Sequence, residues 1–567
     1  MEMKALKIGK FMAVCLLLQC LPVQAQQILV DRVTVATARE HSTLLKPASS
    51  SAKVDPVGTA RQMRARRFAA SMAHSLQATP AAAGIVPCGG PNGTRFNLEP
   101  RANASIQEAP TADFILNGVG MDNDLIVQVG DGAVERGPAY SGGGYFVHTS
   151  QTADCSVQFE GGLPTFIAQG DTFSSGEGIV RADNVRKAFF AVAGVLGSSL
   201  SGIGLYRASA ADLLNPVRCP NGTHTLAQAK SCWEQTKPAF LDQLPAFDEG
   251  GTPFLAVDER PTGTGAGDVY VLYVSANESA ISIVACTNSL QCGNPTTIFT
   301  AGSGQQLLQF AADVQVAPTG VATVSFSTEN DHDASGTVMF ASCTPAGAPK
   351  APVCSTPNVV ANLPASQFLT LQFPVENTAF FLEQTIPRHS SRPGPGSDFT
   401  TFMVYDDCRD QFLSAGTSIC VASEVSMTIS TNSGKTWSAP VSVNTKPGHH
   451  LLGNVAADVS TGTANIVYFS TEGDPNFHKV RVMLNQVAPD STTVGPPSLI
   501  TTKLDAADAF APCLCFLNAV EVGAVARGTG ATGHSRLYTS FNSSAVNGTY
   551  ETEPLPDLNN HISLLRF

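Results

Sequence analysis

Pro253 to Ser275 reads PFLAVDERPTGTGAGDVYVLYVS. An apolar run ends at Asp258, a stretch rich in Gly, Pro and Thr follows, and a second run of valine, leucine and tyrosine begins at Val269. β-branched and aromatic residues favour extended backbone, while Gly, Pro and Asp set turns, so the segment predicts two antiparallel strands and a connecting turn. Three stretches repeat the plan closely: GIVRADNVRKAFFAVAG (Gly178–Gly194), DVQVAPTGVATVSFS (Asp313–Ser327) and NVAADVSTGTANIVYFS (Asn454–Ser470). Phe380–Asp407 has it with a longer turn, and Asp113–Gly130 and Asn518–Gly528 are looser copies. The first strands end near 116, 180, 257, 316, 382, 459 and 522, a spacing of about 60 to 80 residues. Self-similarity at that period marks a propeller or a solenoid.

The second half of each unit is a further hairpin. CTNSLQCGNP (Cys286–Pro295), STNSGKTWSAP (Ser430–Pro440), TSQTADCSVQFEGGLP (Thr149–Pro164) and TSFNSSAVNGTY (Thr539–Tyr550) fall in the same slot of their repeats. Two strand pairs per repeat make a four-stranded sheet that cannot bury both faces by itself. Radial stacking covers them and leaves only short edges. The expected fold is therefore all-β, a propeller of seven four-stranded antiparallel blades, or six if the Asp113 strand pair completes the final sheet.

One turn carries a motif. In Ser430–Trp437 a side-chain oxygen at Asn432 is placed to accept turn amides, Gly434 is free to take positive φ, and Trp437 is placed to bury its ring under the hairpin. Ser430, Asn432, Gly434, Thr436 and Trp437 resemble the Asp-box, the BNR-repeat signature Ser-x-Asp-x-Gly-x-Thr-Trp of sialidases and sialidase-like propellers, with Asn432 in the aspartate's place. Together with Arg95–Gly130 and Tyr145–Pro164, this is similar to secreted bacterial sialidase-like proteins over about residues 90 to 567. The resemblance implies that the box builds a blade on the rim away from any active site.

It also implies what a working sialidase would need: three arginines for the substrate carboxylate, a Tyr/Glu pair and an acidic aspartate, the first arginine usually in Arg-Ile-Pro. Here TIPRHS (Thr385–Ser390) has the order reversed, and the spacing of Arg136, Arg181, Arg260, Arg388, Arg409 and Arg481 singles out no triad. There is no Gly-x-Ser-x-Gly elbow, His-Glu-x-x-His helix or Gly-rich phosphate loop. Paired carboxylates stay open, because their separation is spatial. Asp122 and Asp124 in MDNDL, and Glu329, Asp331 and Asp333 in ENDHD, offer hard oxygen ligands that calcium would take; each cluster also reads as a solvated loop. His449 and His450, adjacent and so a poor chelate, read as exposed. Scarce tryptophan disfavours a polysaccharide enzyme, with Tyr140, Tyr145 and Tyr405 as the remaining stacking faces. The reading is a non-catalytic binding module for a glycan or cell-surface ligand; the alternative is a glycoside hydrolase of the exo-α-sialidase type with a diverged active site.

Bulk properties bound the rest. A net charge of −12 with pI near 5.4 opposes nucleic-acid binding. Lys4, Lys7 and Lys10 precede FMAVCLLLQCLPV and the small residues of VQA, so 1–25 reads as a cleaved signal peptide, with a lipoprotein anchor at Cys20 as the alternative. That makes the product secreted or periplasmic, with no transmembrane span, and monomeric. Residues 26–110 read as an irregular Ala/Ser/Pro-rich leader or linker and 111–567 as the propeller. Of 14 cysteines, Cys15 and Cys20 belong to the signal, leaving an even number that favours disulfides in an exported chain. The couples close in sequence are Cys219/Cys232, Cys286/Cys292, Cys343/Cys354 and Cys408/Cys420, with Cys513 and Cys515 left to pair with Cys88 and Cys155.

Overall fold

The computed structural model describes the chain most fully between 157 and 500. Outside that span it describes the strands Phe96–Leu98, Gly118–Asp122, Leu125–Gly130, Gly144–Thr149, Asp505–Ala506, Gly523–Gly528, Ser535–Ser543 and Asn559–Arg566. The expected signal at 1–25 and almost all of 26–110 lie outside the described residues.

The described strands form small antiparallel sheets in chain order, as expected of a propeller. Five consecutive ones carry the described packing. The first blade runs from 166 to 235, the second from 254 to 300, the third from 305 to 363, the fourth from 369 to 442 and the fifth from 450 to 506. Five is fewer than the seven or six blades expected. One further sheet precedes them, Gly118–Asp122 to Val157–Gly162, and one follows, in which Gly523–Gly528, Ser535–Ser543 and Asn559–Arg566 are joined by Phe96–Leu98.

Within a blade each strand pairs with the next. In the second, Phe254–Val257 pairs with Val269–Val274, that with Ala280–Cys286, and that with Thr296–Thr300. Blades stack face to face, so both faces of the middle strands are covered. This is why Val269–Val274 and Ala464–Ser470 are near-continuous apolar runs rather than alternating ones, and why Ala464–Ser470 is buried at every position. Ile179, Phe190 and Val192 of the first blade pack with Phe254, Val271 and Ile283 of the second and Val314, Val324 and Phe326 of the third. Phe402, Val404 and Met427 of the fourth pack with Val455, Ile466 and Tyr468 of the fifth. Trp233 is wholly buried in the first blade.

The aspartate that ends the repeated first strand shapes the turn. Asp183 Oδ1 accepts the N–H groups of Val185 and Arg186, Asp258 Oδ1 that of Arg260, and Asp458 Oδ1 those of Ser460 and Thr461. All three are buried. A short side chain that satisfies turn amides from inside is the physical content of the repeat.

Two segments differ from expectation. The fourth blade's first strand is Arg388–Pro393, turning through Pro395 to Asp398 into Phe399–Ser414. Phe380–Glu383 instead forms a separate hairpin with Leu369–Gln372, which meets Thr417–Ser430 in parallel. The compact PGPGS turn closes the inner hairpin after Arg388–Pro393, leaving the earlier apolar strand to pair elsewhere. Phe96–Leu98, within the expected leader, pairs with Asn559–Arg566.

Three of the four expected short disulfides are present: Cys219–Cys232, Cys286–Cys292 and Cys343–Cys354, each closing a local loop. The fourth expected couple is Cys408 with Cys420: Cys408 is disulfide-bonded, and its partner, like the Cys420 side chain, lies outside the described residues. Cys343 and Cys354 are direct ladder partners. Among the described residues no helix is long and apolar enough to cross a membrane.

Candidate functional site

The motif turn lies between the third and fourth strands of the fourth blade. Asn432 Oδ1 accepts the Thr436 N–H at 2.9 Å, and Asn432 Nδ2 donates to Thr436 Oγ1 at 2.8 Å. Ser430 Oγ accepts the Gly434 N–H at 2.9 Å, and Gly434 has φ of +78°. Trp437 meets Phe340 of the third blade edge-on, with centroids 5.1 Å apart. Ser430, Asn432, Gly434 and Thr436 bond to one another, Asn358 of the third blade donates to Gly434 O, and Trp437 packs on that blade.

Of the arginines named in the sequence, Arg260 and Arg388 are committed between blades, as are Arg186 and Arg392, whereas Arg181 donates to the adjacent Val180 O. Arg186 pairs with Asp183 and donates to the Arg260 carbonyl of the next blade. Arg260 grips Asp258 through Nε and Nη2 and reaches Thr319 O at 2.7 Å in the blade after. Arg392 of the fourth blade donates to Gly462 O and Ala488 O of the fifth. Arg388, only 3% exposed, sits over the Phe254 ring with its guanidinium carbon 5.3 Å from the centroid and donates to Ala312 O. It thereby spans three blades. Arg136 lies outside the described residues, as does the Arg409 side chain.

Beside Arg388, three groups look superficially like a nucleophile, base and acid. His389 Nδ1 is 3.2 Å from Asp313 Oδ2 and 2.9 Å from Ser325 Oγ, and its Nε2 is 2.9 Å from Thr323 Oγ1. His389 N–H also donates to Asp313 Oδ2. All four residues are buried between the third and fourth blades, and Ser327 and Thr385 continue the same seam. Burial alone would raise the Asp313 carboxyl; the hydrogen bond and charge of His389, with the charge of Arg388, hold it below the usual carboxylate range. With no face open to a substrate, the group's role is to join blades.

A different arrangement occurs at the end of the fourth blade opposite its Pro393–Phe399 turn. The second and third strands, Phe399–Ser414 and Thr417–Ser430, run on past the blade body as a long hairpin. Where they leave it, Asp407 is directly opposite Glu424, and Tyr405 is opposite Ser426. Directly opposite residues share a face, and on this face Tyr405 packs with Val338, Phe340, Leu363 and Met403. Tyr405 is 1% exposed, while Asp407 and Glu424 are half-buried. Burial pushes the Tyr405 phenol up, with Asp407 and Glu424 adding their negative charges. Burial likewise raises the Asp407 carboxyl, the Cys408 N–H at 2.7 Å opposes that, and Glu424 raises it further. A phenol and two carboxylates thus meet where the ladder shifts register, between Cys408 and Asp410. Sequence reasoning named Tyr405 as an aromatic and passed over both carboxylates. The available signal was the placing of Cys408 and Cys420, which bracket the hairpin tip and set residues before one against residues after the other.

The remaining candidates fall elsewhere. His449 and His450, expected to be exposed, are both buried: His450 Nδ1 meets Ser470 Oγ at 2.9 Å and its Nε2 meets Lys446 O at 3.0 Å, while Ser423 N–H donates to His449 Nδ1. They lie at the start of an inner strand, where stacking with the fourth blade covers them. Asp122 closes the strand Gly118–Asp122; Asp124, Asp331 and Asp333 lie outside the described residues. Glu329 is buried and accepts from Gln306 Nε2 at 2.9 Å. Among the described residues, no three His, Cys, Asp or Glu side chains gather as a metal-binding group.

No protein-family model matches the chain, and no curated protein does. Similar solved structures include an ulvan lyase of polysaccharide lyase family PL25, 9% identical with a TM-score of 0.42 over 85% of this chain and 95% of that one. Another is the polysaccharide lyase Uly1, 9% identical with a TM-score of 0.39 over 79% of this chain and 89% of that one. A third is an α-L-arabinofuranosidase from Lactobacillus brevis, 13% identical with a TM-score of 0.27 over 55% and 89%. At these scores the likeness carries no argument about ligand or activity, and the fold rests on the strand pairing itself.

Proposed function

We propose that the chain is an exported sialidase-like propeller that binds a glycan through the open ends of its blades and does not cleave it. The observation that carries this is the fate of Arg388, which is buried across three blades and hydrogen-bonded to Ala312 O instead of being presented to an acidic sugar. Arg260 and Arg392 are likewise committed to neighbouring turns. The sialidase-like part is supported by the self-contained bonding of Ser430 to Trp437. We read the ring as seven blades, because the sheet ending in Val157–Gly162 and the sheet of Gly523–Gly528 each add one to the five, with contacts from Gly118–Asp122 to both Asp171–Asp183 and Gly523–Gly528. Phe96–Leu98 then closes the last blade, so the propeller would begin near 96 rather than 111, following a cleaved 1–25 and a linker. The disulfides support a secreted or periplasmic location.

The second reading, a glycoside hydrolase of diverged sialidase type, is favoured by one arrangement, the Tyr405 phenol beside Asp407 and Glu424. A glycan array probed with the mature protein, run beside a fluorogenic sialoside and glycoside panel, separates the two. Binding without fluorophore release is expected. Release abolished by Tyr405→Phe or Glu424→Gln would replace the first reading with the second.

A further inference from the structure

Among the described residues, every arginine side chain but one has an acceptor. Arg186, Arg207, Arg218 and Arg260 have carboxylates, and Arg181, Arg388 and Arg392 have backbone carbonyls. The exception is Arg481, on the third strand of the fifth blade, Lys479–Val487. Its Nε is buried without a hydrogen-bond partner, although the residue as a whole is only half-buried, and no described carboxylate lies within ion-pair distance of it. A guanidinium cannot shed its proton to escape burial, so the arrangement calls for an anion.

The surroundings hold this cation in place and keep the neighbouring acid off it. Gly473 lies against the guanidinium: its φ is +89°, and a Cβ there would fall 2.1 Å from Arg481 Nη2. Glycine alone allows both that backbone and that approach. Gly473 is exposed, so the notch opens to solvent. Glu472, the acid beside it in sequence, is turned away. Its N–H donates to Ser470 Oγ at 2.9 Å, and its Oε2 accepts from Nδ2 of the buried Asn444 at 2.9 Å. Ser470 stands opposite both Arg481 and His450 in the ladders, and its hydroxyl is engaged by His450 Nδ1. Arg481 thus lies at the end of the fifth blade opposite the Asp458–Thr463 turn. The long hairpin of the fourth blade leaves at the same end, where Ser423 N–H reaches His449 Nδ1.

We propose that Arg481 is an oxyanion-binding site, which takes a carboxylate or a sulfate group of a molecule approaching this end of the blades. The guanidinium fork offers parallel donors to paired oxygens, and a charge-assisted bond of that kind is stronger than a neutral one. Partial burial lowers the local dielectric and strengthens the attraction further. A single guanidinium balances a singly charged group, which favours carboxylate or sulfate ester over a phosphate dianion. The glycine notch orders the side chain before the anion arrives, so little of its freedom is left to lose on binding. This inference does not depend on the glycan reading, because the site is defined by the anionic group and not by what carries it.

Phenylglyoxal, which adds to accessible guanidinium groups, tests it on the full chain, with peptide mass mapping to report each arginine separately. In chloride buffer Arg481 should be modified. Replacing chloride by sulfate or by acetate at constant ionic strength should slow that modification saturably, by at least about threefold, since a charge-assisted pair competes with the reagent. Arg218, exposed and already paired with Asp212, should react at the same rate in all three salts. The sulfate and acetate arms tell which group the site prefers. Gly473→Ala, whose Cβ displaces the guanidinium, should abolish the protection of Arg481 and leave Arg218 as before. An Arg481 that stays unmodified in chloride, or that is protected no more than Arg218 by either anion, overturns the site in the parent protein alone, whether or not the variant folds. None of these outcomes bears on glycan binding, so failure here and failure of the glycan reading are told apart.

Discussion

Removing the Asp258 carboxylate strips the Arg260 guanidinium of its Nε and Nη2 partner and leaves the Arg260 N–H of the turn unanswered. Asp258 is wholly buried while Arg260 is about a quarter exposed, so Asp258→Ala should cost about 3 kcal/mol, the scale for breaking a buried pair from one side. Urea denaturation checks it; a loss below about 1 kcal/mol would mean that the pair contributes only as a surface bridge does. Two carboxylates give opposite pH signatures. Asp313 is held below its unfolded value, so its contribution is present above the unfolded carboxylate pKa, about 3.9, and is lost as pH falls through the folded value. His389→Gln should therefore reduce stability at neutral pH and flatten the acid limb of the melting profile. Asp407 is held above its unfolded value, so proton uptake favours the folded state at low pH and that benefit disappears as pH rises through the folded value. Asp407→Asn should accordingly raise the melting temperature at pH 7, with the gain vanishing in acid. A lower melting temperature at pH 7 would show that Asp407 is stabilised by a partner rather than strained by Glu424.

At the scale of the element, the Ser430–Trp437 turn couples two blades through one glycine. A Cβ on Gly434 would fall 2.1 Å from Phe340 Cε1, and the residue already holds φ of +78°. Gly434→Ala combines left-handed backbone with a steric conflict inside a packed seam, and should cost about 2–4 kcal/mol by chemical denaturation. Asn432→Asp keeps the acceptor for the Thr436 N–H and gives up only the Nδ2 donation to Thr436 Oγ1. Its effect should stay within about 1 kcal/mol, on the scale of one net hydrogen bond. Equal losses in the two variants would mean that hydrogen bonding, not the close approach to Phe340, sets the turn. The three local disulfides span separations of 13, 6 and 11 residues. Loops that short constrain the unfolded chain modestly, by about 2–3 kcal/mol each.

For the molecule as a whole, the strands, their pairing within each hairpin and three short disulfides were legible because they are encoded locally. Val269–Val274 and Ala464–Ser470 announce themselves as fully covered strands, and Asp258 and Asp458 mark where those hairpins turn. What stayed hidden depends on exact register or on contacts between distant segments. Nothing near Phe96–Leu98 shows that it completes a sheet with Asn559–Arg566, and nothing in TIPRHS shows that Arg388 ends over Phe254. His449 and His450 looked exposed because burial by the neighbouring blade leaves no periodicity in their own segment. Asp407 and Glu424 are separated by the whole hairpin, and only its register brings them together. The central claim is that this scaffold uses its inner arginines to join blades and binds a glycan without cutting it. The most direct measurement is simultaneous recording of retained and released label when array-positive fluorogenic glycosides are incubated with the purified protein at substrate excess. Saturable retention with no release above the buffer blank is predicted. Multiple-turnover release that disappears in Glu424→Gln would contradict it.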